Sequence, residues 1–138
     1  GPSQVISQML KIHQYAIMSA PTTSQYAAIE AISEGDGDIE TMRRDYDYRR
    51  RYLLDGLRSL DLDCFEPKGA FYMFPCIRRT GLTSEEFCER FLLEEKVAVI
   101  PGDAFGSSGE GFVRICYASS VGNIAEALTR MERFVKKF

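Results

Sequence analysis

Residues 97–118, VAVIPGDAFGSSGEGFVRICYA, join two apolar runs through a loop punctuated by glycine. Residues 97–100 and 112–118 are rich in the branched and aromatic side chains that favour strands. Pro101, Gly102, Gly106, Gly109 and Gly111 mark the connection between them as a loop. Successive side chains of a strand face opposite sides, so Val113, Ile115 and Tyr117 share one face, while Phe112, Arg114, Cys116 and Ala118 share the other. One charge therefore stands in an otherwise apolar strand. A guanidinium is costly to bury alone, which leaves Arg114 three states: paired with an internal carboxylate, in water, or waiting for an anionic ligand. Composition does not choose among them. The glycine loop favours a ligand, because glycine lets backbone come close to a bound group beside a bidentate donor.

The chain has 138 residues, 45% of them hydrophobic and 12% aromatic, enough for one domain with a real core. Its net charge of -3 excludes a nucleic-acid module that relies on general positive charge. No apolar run reaches the roughly eighteen residues of a membrane span, and no secretory leader is visible, so a soluble, cytoplasmic protein without membrane partners is expected. Cys64, Cys76, Cys88 and Cys116 form no CxxC pair and read as buried free thiols in a reducing compartment. The single histidine, His13, is far from every cysteine in sequence, so neither a zinc site nor a Cys-His nucleophile is expected.

Gly1-Pro2-Ser3, native or left by tag removal, is set aside from the fold reading. Residues 4–18 have a helix-compatible apolar pattern, interrupted at Ser19-Ala20-Pro21. Thr22, Thr23 or Ser24 can cap a second helix that ends near Gly35. The Gly-Asp-Gly-Asp run at 35–38 reads as a linker. A long amphipathic helix follows, with Ile39, Met42, Tyr46, Leu53, Leu57 and Leu60 on one stripe. Its arginines at 43, 44, 49, 50 and 51 are interleaved with Glu40, Asp45, Asp47 and Asp55, the pattern of an ion-paired face. Residues 62–65 and 70–77 read as strands of an antiparallel hairpin around Glu66-Pro67-Lys68-Gly69, where Lys68 is expected to be exposed. Thr83 and Glu86 form a capping box, with Leu82 and Phe87 as its staple, for a helix that starts near residue 84. Ser119 and Ser120 can cap a terminal helix whose Ile124, Leu128, Met131, Val135 and Phe138 recur at helical spacing.

From residue 36 the order is helix, strand, strand, helix, strand, strand, helix. That order implies an α/β two-layer sandwich, a small mixed and mainly antiparallel sheet with helices on one face. Arg114 then projects from the other face beside Tyr72, Phe74 and Cys76. So apolar a surface suggests a missing neighbour.

Four segments, in this order, resemble one family: Pro67-Lys-Gly-Ala-Phe-Tyr72, Thr83-Ser-Glu-Glu-Phe-Cys88, Val97-Ala-Val-Ile-Pro-Gly-Asp-Ala-Phe-Gly106 and Gly109-Glu-Gly-Phe-Val-Arg-Ile115. The chain is similar to the carboxy-terminal small domain of fold-type I, pyridoxal-phosphate-dependent aminotransferases of class I/II. The resemblance implies that residues 1–35 are the tail of the large domain and 36–138 the small domain. It also implies that Arg114 binds the substrate α-carboxylate, with Phe105 and Gly106 shaping the same side of the pocket. The substrates implied are an amino acid and a 2-oxo acid, the cofactor is pyridoxal 5'-phosphate, and the full-length enzyme is a homodimer with residues 19–25 near the subunit interface. The Schiff-base lysine and the cofactor-binding residues of the family belong to the upstream large domain. None of Lys11, Lys68, Lys96, Lys136 and Lys137 matches that lysine. The segment alone is therefore expected to be inactive, with no catalytic or cofactor-binding residue of its own. The alternative is a free-standing module of the same fold that holds an anion or a partner without chemistry. A nucleic-acid site on the 43–51 arginines is the third reading.

Overall fold

A computed structural model describes residues 1–138, in the order α1 (Ser3–Ala16), α2 (Thr22–Glu34), α3 (Asp36–Ser59), β1 (Tyr72–Met73), α4 (Ser84–Glu95), β2 (Ile100–Pro101), β3 (Val113–Cys116) and α5 (Val121–Val135). Internal contacts divide the chain into two units, Gly1–Thr41 and Met42–Phe138. No helix is long and apolar enough to cross a membrane.

In the first unit α1 and α2 bury none of their residues, and their apolar side chains, Met9, Leu10, Ile12 and Ile29 among them, are exposed. The residue preceding α2 is Pro21, which makes no side-chain cap; Thr22 is already helical, so the expected threonine or serine cap is not made. Pro21 fixes a favourable backbone angle just before the first turn. The expected linker at 35–38 is also corrected. Only Gly35 interrupts the helices, and Asp36 and Asp38 lie in the first turn of α3, where their charges suit the helix dipole.

In the second unit the core is built from one face of the sheet and three helices. Leu53, Leu54 and Leu57 of α3, Phe87 and Phe91 of α4, and Ile124, Met131, Phe134 and Val135 of α5 meet Met73, Val113 and Tyr117. Phe134 is at the centre, 5.1 Å from Phe87 in an edge-to-face pair and 5.3 Å from Phe91. Such pairs add about 0.5–1.5 kcal/mol each beyond the area they bury. The α3 stripe is narrower than its spacing predicts, because Ile39 and Met42 are exposed whereas Leu54, outside the stripe, is buried. Along the middle of α3 the arginines are ion-paired: Arg50 with Asp47 at 2.8 Å and Glu66 at 2.7 Å, Arg51 with Asp47 at 2.7 Å.

The sheet order is β1-β3-β2 and every pairing is antiparallel. One register, Tyr72↔Cys116, Met73↔Ile115 and Cys76↔Phe112, runs the length of the β1 segment. Residues 62–65 do not form the expected tight hairpin. They meet the β1 segment through the Cys64↔Pro75 bridge and the Cys76 amide, which donates to the Asp63 carbonyl at 2.7 Å, so the connection is a wide loop rather than a four-residue turn. Three features hold that loop: Ala70 adopts the left-handed backbone region, Tyr117 donates its hydroxyl to the Ala70 carbonyl at 2.9 Å, and its amide donates to the Phe71 carbonyl at 2.9 Å. Lys68 is exposed. The capping box of α4 is complete, with the Thr83 side chain accepting from the Glu86 amide and the Glu86 carboxylate accepting from the Thr83 amide. Ser120 caps α5 by accepting from the Asn123 amide at 3.1 Å.

Candidate functional site

The central strand β3 sorts its side chains by face as the sequence alternation requires. Val113 and Tyr117 are buried in the core, whereas Arg114 is half-buried and Cys116 exposed on the open side. The expectation that the cysteines are buried holds fully only at Cys64: Cys76 and Cys88 are half-buried and Cys116 is exposed, although all four are free thiols. Cys88, by contrast, has its thiol pushed up to about 11, chiefly by burial.

The Arg114 side chain makes no ion pair and no hydrogen bond within the chain; its contacts are aromatic. Its guanidinium carbon lies 4.4 Å from the ring centroid of Tyr72 and 4.4 Å from that of Phe105. The β1 register brings Phe74 opposite Arg114, and Phe74 meets Phe105 edge-on at 5.7 Å. Phe105 belongs to a 3-10 turn, Gly102–Phe105, directly after β2, which pairs Ile100 with Arg114. Two flanking strands thus deliver one ring each. Gly106 closes that turn at φ 126, a conformation that residues with a β-carbon rarely adopt.

The loop glycines serve a purpose other than the one expected. A β-carbon at Gly102 would lie 2.3 Å from the carbonyl oxygen of Gly109, and one at Gly109 would lie 2.0 Å from that of Gly102. The two backbones pack directly on each other, closing the loop on itself. Behind it the buried Ser84 hydroxyl accepts from the Gly111 amide at 2.9 Å, and Glu110 accepts from the Ser84 amide at 3.0 Å. The loop is a braced platform for Phe105.

Sequence reasoning put Phe105 and Arg114 in one site, and they are in contact. It placed Tyr72 on the right face without assigning it to the arginine. The missing information was the strand register, which sets Tyr72 diagonal to Arg114. A mainly apolar cavity of about 160 Å³ lies away from this group, between residues 97–99 and α5, lined by Val97, Val99, Ile115, Ile124 and Leu128. Nor is a lysine gathered here. Lys137 bonds to Glu94, Lys136 to Glu132, Lys96 to the Leu93 carbonyl and Lys11 to Gln8, and Lys68 borders a separate polar cleft with Asp47 and Arg50.

The family described as Aminotransferase class I and II matches residues 1–131. The chain belongs to that aminotransferase family. Among the relatives, YugH of Bacillus subtilis is 48% identical over 137 residues, covering 99% of this chain and 36% of its own length. The aspartate aminotransferase of Pyrococcus abyssi is 45% identical over 139 residues, covering 99% and 36%. The crystal structure of an aromatic aminotransferase from Pyrococcus horikoshii superposes with a TM-score of 0.85 at 45% identity, covering 99% of this chain and 37% of that one. The chain thus spans about 36% of the length of the curated aminotransferases it matches.

Proposed function

We propose that the chain is the carboxy-terminal segment of a pyridoxal-phosphate-dependent aminotransferase and that Arg114 binds the α-carboxylate of the amino acid and of the 2-oxo acid. The observation that carries this reading is the state of Arg114. It is a half-buried guanidinium on an apolar face, flanked by two rings at 4.4 Å and engaged by no carboxylate of its own chain. A bidentate pair with a substrate carboxylate gives that charge a partner and fixes the orientation of the reacting carbon. Phe105 and Gly106 shape the adjoining wall.

Pyridoxal phosphate supplies the electron sink for the reaction. This reading puts its site outside these residues; the support is that Lys137, Lys136, Lys96 and Lys11 hydrogen-bond elsewhere and Lys68 borders a different cleft. On this reading the cofactor-bearing lysine is in the remainder of a longer enzyme, and these 138 residues alone do not transaminate. Residues 1–35 are then the tail of the large domain. Their support is the exposed apolar surface of α1 and α2, which needs a partner.

The test is Arg114→Ala in the full-length enzyme. A charge-assisted pair of this kind contributes roughly 1.5–3 kcal/mol, a loss of about ten- to a hundredfold in kcat/KM for both substrates. An unchanged kcat/KM refutes the assignment.

A further inference from the structure

An arginine held by aromatic rings differs chemically from one held by a carboxylate. A carboxylate cancels the charge and occupies N–H donors. A ring face attracts the cation through its quadrupole and leaves the donors available. Arg114 is held in the second way, by Tyr72 and Phe105.

Both rings are braced by further contacts. Tyr72 lies 4.7 Å from the Phe71 ring, which in turn stacks on Tyr46 of α3 at 6.0 Å. The backbone just before it is tied to the core strand by the Tyr117 amide and hydroxyl. Phe105 is braced by Phe74 and by the self-packed glycine loop. Tyr72 and Phe105 make no ring contact with each other although each is 4.4 Å from the same carbon, so they flank the guanidinium from different sides. The base of the side chain is fixed too, because β3 is paired along both edges.

We infer that Tyr72, together with Phe105, is a positioning residue that holds Arg114 with its charge uncancelled and its N–H edge free to meet a carboxylate. The inference rests on the reading of Arg114 as the α-carboxylate site. A flexible arginine must lose rotamer freedom when it forms a two-point contact, and one already held between rings loses less. An acidic residue in the position of either ring would hold the side chain equally well but would compete with the ligand for the same donors.

The experiment uses the full-length, cofactor-loaded enzyme with Tyr72→Leu, Tyr72→Phe, Phe105→Leu and Arg114→Ala. KM and kcat are measured for an amino acid, turnover for a primary amine without a carboxylate, and the Kd of 3-phenylpropionate by calorimetry. Tyr72→Leu is expected to raise KM and Kd about three- to thirtyfold, the range of a single cation–π contact. It should leave kcat and the use of the carboxylate-free amine near their starting values. Tyr72→Phe keeps the ring face and restores both constants. Phe105→Leu, on the other flank, is expected to raise the Kd of 3-phenylpropionate as Tyr72→Leu does and serves in its place if that variant does not fold; because Phe105 also shapes the pocket wall, only this Kd is read for it. Equal losses on the amine, or a Tyr72→Phe as impaired as Tyr72→Leu, overturn the inference. If Arg114→Ala weakens carboxylate binding while neither ring substitution does, the positioning role fails and the carboxylate reading stands. If Arg114→Ala itself changes nothing, the underlying reading fails.

Discussion

Replacing Gly109 with alanine isolates the steric logic of the loop that carries Phe105. The new β-carbon would lie 2.0 Å from the Gly102 carbonyl oxygen and 2.3 Å from its carbonyl carbon, where a separation below 3.0 Å is not tolerated. The two backbones must therefore part by about 1 Å, the difference between 3.0 and 2.0 Å. The strands around them are joined by short hydrogen bonds, from the Gly102 amide to the Phe112 carbonyl at 2.9 Å and from the Phe112 amide to the Gly109 carbonyl at 3.1 Å. A shift of that size takes at least one of these beyond bonding distance. Overpacking costs about 1–3 kcal/mol and a lost hydrogen bond about 1 kcal/mol, together about 2–4 kcal/mol. With a urea dependence of about 2 kcal/mol per molar, the unfolding midpoint should fall by about 1–2 M. Urea titration followed by circular dichroism measures it. Gly69→Ala is the control, because a β-carbon there meets nothing within 4 Å and the backbone angle is permissive. If Gly109→Ala unfolds at the same midpoint as Gly69→Ala, the self-packing account of the loop is wrong.

Two further substitutions probe neighbouring supports. Ser84→Ala removes the hydroxyl that satisfies the buried Gly111 amide, so it should destabilise by about 1–3 kcal/mol in the same titration, and a neutral result would mean that the amide finds another partner. Glu95→Gln probes the link between α4 and α5. The Glu95 carboxyl is held below its ordinary value first by its hydrogen bonds from Arg133, with Lys137 adding to the effect. A lowered folded value means that the contribution is complete above the ordinary value of 4.5 and is lost as pH falls through the folded one. Tm should be lower for Glu95→Gln at neutral pH, and its gap from the unaltered chain should close as the pH is lowered below 4.5 and through the folded value. A gap that is constant with pH would refute the ion-pair account.

Much of this architecture follows from local sequence. The Thr83–Glu86 box, the Ser120 cap and the alternation of residues 113–117 are decided by neighbours three or fewer positions apart, and each forms as expected. Features set by distant neighbours were less legible. Residues 62–65 have a strand composition but meet the sheet only as an isolated bridge at Asp63 and Cys64, because the turn that follows is shaped by Tyr117, more than forty positions away. Phe134 lies outside the simple α5 stripe yet sits at the centre of the aromatic core, since a helix packed on two partners buries more than one line of residues. At the candidate site the sequence left Arg114 three possible states. Strand register and the loop's self-packing bring rings, and no acid, to its sides, and neither can be read from the local pattern.

Four residues of β3 have two separate obligations. Val113 and, just beyond the strand, Tyr117 face inward and secure the core; Arg114 faces outward and contributes nothing to it. The folding determinants and the arginine proposed to bind the carboxylate therefore alternate along one strand but can vary independently. A descendant of this domain can exchange the outward side chain while inheriting the same scaffold unaltered; on the proposed reading, the ligand changes with it.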